Sequence, residues 1–182
     1  MRPDPGTAEP LIGAIGGFRW WRVSGRWLTS PWRGDVRWER DGNAASCLGR
    51  RWLLRWRPHG VLHARGIPES GCSCGFYAML QAPTDAVEMQ SAWPLNPSLS
   101  GGPISLVFGA VRGTGRVVLG EYGWRAERAR VDALYLPPSR GASERFETVA
   151  ETYGVPIYRD LGELAREHGP DAWTRELARL PG

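Results

Sequence analysis

The tightest constraint on this chain is the stretch Cys72-Ser73-Cys74-Gly75-Phe76-Tyr77-Ala78, which carries two of its three cysteines. In extended backbone, side chains two residues apart project to the same side, so both thiols can reach one ion through bonds of about 2.3 Å. Gly71 and Gly75 flank the pair and give the backbone the freedom that a tight knuckle requires. Upstream, Cys47 and His63 complete three thiols and one imidazole, the donor set of a closed structural Zn2+ site. His59 competes with His63 for the imidazole position. Two other readings of the cysteines stand beside this one, buried inert thiols and a reactive cysteine. A disulfide within Cys72-Ser73-Cys74 is strained and does not suit a reducing compartment.

At 182 residues and 42% hydrophobic, the chain suits one domain with a real core. The odd cysteine count and the start Met1-Arg2-Pro3-Asp4-Pro5, with no basic region leading into an apolar run, predict a cytoplasmic protein without a secretory signal. No apolar run approaches the roughly 20 residues of a membrane-spanning helix. The net charge of +4 is uneven: residues 1–65 hold 12 of the 23 basic residues and 5 of the 19 acids. Such a basic third can face nucleic acid. Because every basic residue is arginine, a biased genome composition and a solvated arginine coat explain it more simply.

Residues 1–14, rich in Pro and Gly, read as a flexible lead-in. Phe18-Arg19-Trp20-Trp21-Arg22-Val23 then reads as a strand that turns at Ser24-Gly25 into Arg26-Trp27-Leu28, the first hairpin of a meander. Eight of the ten tryptophans precede Pro94. Indole faces can stack on bases, but an aromatic stripe at strand spacing more often fills a core. Trp20 and Trp21 face opposite sides of any strand, so one is the candidate for a binding surface. The run from Gly75 to Ala82 predicts a helix, with Phe76 and Leu80 four apart on one face. A Pro, Gly and Ser loop at residues 91–103 divides a Trp-rich, zinc-stapled half, residues 15–93, from a second half, residues 104–182, packed with it as one domain.

In the second half, residues 104–111 and 116–122 predict a hairpin turning at Arg112-Gly113-Thr114-Gly115. Alternation in the next strand puts Trp124, Ala126, Arg128 and Arg130 on one side and Arg125, Glu127 and Ala129 on the other. Trp124 with Arg125 or Arg128 could grip a phosphate or carboxylate; a solvated Arg125–Glu127 pair is the plainer reading. Phe146, Val149, Ala150 and Tyr153 form a helical stripe stopped by Gly154, and Asp160-Leu161-Gly162-Glu163 has the form of a capping box before a second helix ending at Gly169-Pro170. His168, in that helix's last turn, suits the helix dipole better than catalysis.

The Trp-rich start, the order Cys, His, Cys-x-Cys-Gly-Phe-Tyr-Ala, and Gly123-Trp124-Arg125-Ala126-Glu127 together resemble a family of small uncharacterised actinobacterial proteins. The resemblance spans residues 18–169. It implies that Cys47, His63, Cys72 and Cys74 act as one set, favouring His63 over His59, and it brings no activity with it.

Enzyme templates are missing: no His-Glu-x-x-His, no Gly-x-Ser-x-Gly, no P-loop, no dinucleotide fingerprint and no deaminase Pro-Cys-x-x-Cys. No catalytic residue is assigned. The expected fold is α+β, a Trp-rich antiparallel sheet with a zinc knuckle, a second β-hairpin and C-terminal helices. The expected function is a non-catalytic, zinc-stabilised binding or adaptor module for a protein partner. Two alternatives remain, a nucleic-acid-binding regulator using the Arg/Trp-rich N-terminal third and a small cysteine-dependent enzyme. Trp20, Trp21, Trp124, Arg125 and Arg128 are the candidate binding surface.

Overall fold

Three long strands carry the architecture of the computed structural model, which describes residues 11–31, 36–47, 63, 66–69, 73–83, 105–138 and 144–172. They are β1 (Leu11–Ser24), β5 (Ser105–Leu119) and β6 (Gly123–Tyr135). Shorter strands β2 (Trp27–Thr29), β3 (Asn43–Ala44), β4 (Phe76–Met79) and β7 (Ile157–Tyr158) complete the sheet, and helices α1 (Glu144–Tyr153) and α2 (Leu161–His168) follow β6. The fold is α+β, mostly antiparallel sheet with a few short helices.

β1 pairs antiparallel with β5 over 13 residues, from Leu11↔Val117 to Val23↔Ser105. β5 pairs with β6, β6 with β4, and β4 returns to β1 at Phe18↔Met79, so the pairing runs in a closed circuit. The two halves expected on either side of residues 91–103 thus share one sheet. β1 begins at Leu11, so residues 11–14 are strand rather than lead-in; residues 1–10 lie outside the described residues. The first hairpin is as expected, with Gly25 at φ +59 in the turn between β1 and β2.

Two expectations fail for identifiable reasons. Residues 76–79 are a strand, not the start of a helix. Phe76, Ala78 and Leu80 all reach the same core cluster, and a spacing of four satisfies alternation as well as it satisfies a helix. The open edge of β6 decides between them, pairing Phe76↔Ala126 through Met79↔Gly123. The second hairpin turns one strand later than expected, at residues 120–122, where the Gly120 amide donates to the Gly123 carbonyl at 2.8 Å. β5 runs straight through Arg112-Gly113-Thr114-Gly115. There Gly115, at φ +80, and Arg116 lie opposite the single residue Glu127, a glycine-initiated bulge rather than a turn.

A second register shift leaves Asp132 extra on β6, its carboxylate held by Arg112 Nε at 2.9 Å and Arg130 Nε at 3.1 Å. Across these irregularities the alternation of β6 changes phase. Trp124 and Ala126 face the main core, but Ala129 and Val131 join them there while Arg128 and Arg130 are exposed.

The main core contains Trp21, Trp38, Trp124, Val107, Val111 and Leu134, with Phe146, Val149, Ala150 and Tyr153 of α1 against it. Trp124 shows why two glycines stand where they do. A Cβ on Gly17 would sit 2.5 Å from Trp124 Nε1, and one on Gly113 would sit 2.6 Å from the far edge of the ring. The indole therefore lies directly on the backbones of β1 and β5, and its Nε1 donates to the Gly16 carbonyl at 2.9 Å. Tyr153 ties α1 to the sheet: its hydroxyl accepts from the Leu28 amide at 3.0 Å and donates to the Trp38 carbonyl at 2.7 Å.

On the other face, Phe18, Phe108, Ala110, Ala133 and Tyr135 meet Leu164 of α2. Asp160 caps α2 by accepting from the Glu163 amide, as the capping box predicts, and Gly154 at φ +64 follows α1. Among the described residues, no helix is long and apolar enough to cross a membrane.

Candidate metal centre

Three separate segments converge beside β4. Cys47 follows β3, His63 and residues 66–69 belong to the connection that leads to β4, and Cys74 stands two residues ahead of Phe76. The sulfurs of Cys47 and Cys74 and a ring nitrogen of His63 lie within 4.8 Å of one another, a group that can hold a metal ion. Cys74 is buried, Cys47 and His63 half-buried. His63 Nδ1 is 3.9 Å from Cys74 Sγ and 3.8 Å from a carboxylate oxygen of Glu69. Its other nitrogen, Nε2, is buried without a hydrogen-bond partner. A buried imidazole nitrogen in that state is costly unless something else satisfies it.

Local backbone accounts for the placement of Cys74. Gly75 adopts φ +109, which lets the chain leave the Cys74 loop and enter β4 directly. A Cβ there would come within 3.2 Å of the Ala126 carbonyl and 3.3 Å of both Pro68 and Arg125, so the turn is closely packed on three sides. Tyr77, in β4, reaches back and donates from its hydroxyl to the Ser73 carbonyl at 2.6 Å.

Arg125 is the residue whose role sequence reasoning misread. Expected on a solvated face paired with Glu127, or as part of a ligand grip, it is 7% exposed, and its guanidinium donates to the Cys74 carbonyl at 3.2 Å and to the Glu69 carbonyl at 3.5 Å. Only its position next to Trp124, one facing the core and the other the opposite way, hinted at this. The remaining candidates for a binding surface are not brought together. Trp21 and Trp124 are core residues at 0% and 2% exposure. Trp20 is half-buried against Phe108, with ring centroids 4.9 Å apart. Arg128 is exposed beside Glu127, at 3.8 Å, taking the partner expected for Arg125. Trp27, another possible stacking platform, carries Arg37 at 3.3 Å and Arg26 at 5.0 Å from its ring. Cys72 and His59 lie outside the described residues.

A second group of titratable side chains lies at α2. Tyr158 donates to the Glu167 carboxylate, and His168 Nε2 lies 3.3 Å from the Tyr158 hydroxyl. Burial, with help from Glu167, pushes the Tyr158 phenol up to about 12. For His168 burial dominates and lowers the pKa, against the nearby charges of Asp132 and Glu167. The helix-end effect expected from its position in the last turn works in the opposite direction and does not govern it.

Comparison with protein-family models, curated proteins and solved structures gives no match.

Proposed function

We propose that the chain is a non-catalytic binding or adaptor module for a protein partner, its shape stabilised by a structural zinc ion on Cys47, His63, Cys74 and, as fourth ligand, Cys72. The observation that carries the metal part of this reading is the meeting of two thiols and an imidazole from positions 47, 63 and 74. Thiolate and imidazole donors together favour zinc over the hard, oxygen-seeking cations. In a tetrahedral site, bonds of 2.3 Å to sulfur and 2.0–2.1 Å to nitrogen put those atoms about 3.6 Å apart. The 3.9 Å between Cys74 Sγ and His63 Nδ1 is within a few tenths of that. Cys72 shares the strand-like spacing that would bring its thiol to the same side as Cys74. The same four residues are the set implied by the resemblance to the actinobacterial family.

A zinc ion held by four protein ligands has no open position for water or substrate, so it would cross-link the loops rather than supply chemistry. The nucleic-acid reading draws no support from Trp20, Trp21, Trp27, Trp38 or Trp124, all packed against protein. Elemental analysis of protein purified without chelators tests the proposal. About one zinc per chain is expected; none would overturn it.

A further inference from the structure

We propose that Arg125 is the positioning residue of the metal centre, setting its metal affinity by holding the two ligand-bearing loops together through their backbone carbonyls. The inference rests on the zinc reading above and deepens it. One guanidinium spans the gap. Nη1 donates to the carbonyl of Cys74, itself a ligand residue, and both Nη1 and Nη2 reach the carbonyl of Glu69, whose carboxylate lies 3.8 Å from His63 Nδ1. The loop beside His63 and the loop of Cys74 are therefore fastened to the same side chain.

That side chain is itself held firmly. Arg125 stands in the middle of the β4–β6 pairing, opposite Tyr77, with its guanidinium carbon 5.9 Å from the Tyr77 ring. Its neighbour Trp124 is locked into the core on the opposite side of the strand. The placement of two ligand loops is thus referred to a strand paired on both sides at this residue, with Tyr77 of β4 and Val118 of β5. Arginine suits the task because its planar fork offers five donors in fixed directions and keeps its charge at any physiological pH. A lysine ammonium is a compact point donor and cannot reproduce the fork.

Outer-shell partners of metal ligands typically contribute 10–100-fold in affinity. Zinc affinity and the rate of zinc release to a competing chelator are to be measured for the wild type, Arg125→Lys, Arg125→Gln and the exposed control Arg128→Gln, together with the melting temperature of each metal-free protein. Affinity is expected to fall about 10-fold in Arg125→Lys and up to about 100-fold in Arg125→Gln, with faster release, and to stay at the wild-type value in Arg128→Gln. Should Arg125→Gln not fold, Arg125→Lys carries the test. Unchanged affinity and release in the Arg125 variants, whatever happens to their melting temperatures, would overturn the inference and leave the zinc reading standing. A wild type that takes up no zinc would overturn both.

Discussion

Trp124 and Arg125 are adjacent in β6, yet they face two regions built from different materials. On the Trp124 side, strands β1 and β5 come close enough to touch the indole because Gly17 and Gly113 carry no side chain there. That region is continuous sheet, its strands joined by ladder hydrogen bonds along their length. On the Arg125 side, Cys47, His63 and Cys74 lie outside the strands, and one guanidinium donates to the carbonyls of Cys74 and Glu69. The first region is held by ladder hydrogen bonds and apolar burial together. The second brings His63 Nδ1 within 3.9 Å of Cys74 Sγ, two donors that an ion between them would join. On the zinc reading, an ion does for these irregular loops what close packing does for the strands.

The comparison can be broken most forcefully by removing the metal. On the zinc reading, chelation or Cys74→Ser should remove stabilisation on the order of 10 kcal/mol, comparable to the whole stability of a domain, and should unfold the chain or lower its melting temperature steeply. A calorimetric transition unmoved by chelator would show that the corner is held by packing after all. Cys72→Ser should behave like Cys74→Ser, and a wild-type melting temperature would remove Cys72 from the ligand set.

Next in size is the glycine-framed indole. Trp124→Ala should cost about 3–5 kcal/mol in denaturant unfolding. Gly113→Ala should cost about 1–3 kcal/mol by overpacking, because the new methyl meets the ring at 2.6 Å. If the two regions are independent, neither substitution changes zinc stoichiometry in the folded protein; a parallel loss of zinc would show them to be one unit. Of the same order as Gly113→Ala, Tyr153→Phe should cost about 1–3 kcal/mol, since it leaves the buried Leu28 amide without its acceptor and the Trp38 carbonyl without its donor.

The smallest effect concerns His168, remote from both regions. Its pKa is lowered in the folded state by burial, so below its ordinary value of 6.5 the unfolded chain binds a proton that the folded chain resists. Its contribution to stability should therefore decline as pH falls from about 6.5 toward the folded pKa, and level off below that. Unfolding curves of wild type and His168→Gln, measured between neutral pH and mild acid, should converge as pH drops. Parallel curves would mean that His168 is not perturbed.

The strands and helices were legible where the local pattern admitted one answer. The stripe of Phe146, Val149, Ala150 and Tyr153 fits only a helix, and Ser24-Gly25 between aromatic runs fits only a turn. Phe76, Ala78 and Leu80 fit both periods, so tertiary pairing with β6 had to decide. Glycine was the commonest source of error: Gly113 marks a close approach and Gly115 a bulge, and both resemble turn glycines until the partner strand is known. At the metal corner, cysteine and histidine announce their chemistry by type, so Cys47, His63 and Cys74 could be grouped from the sequence. Arg125 could not, because an arginine among 23 carries no mark of facing carbonyls rather than solvent.

The pairing of β1 with β5 also governs the order in which a newly made chain can become safe. The partner of Val23 in β5 is Ser105, and that of Leu11 is Val117, so more than 80 residues must be synthesised before the long pairing of the first strand can begin, although β2 and β4 offer it a few partners earlier. At 5–20 residues per second, that is a wait of roughly 4–16 s. Throughout it, Trp20, Trp21 and their neighbours lack the strand that will cover them, while Cys47, His63 and Cys74 have all emerged from the ribosome. Unpaired strand edges of this kind are open to chaperones and to aggregation, and here they stay open until the β5 segment appears.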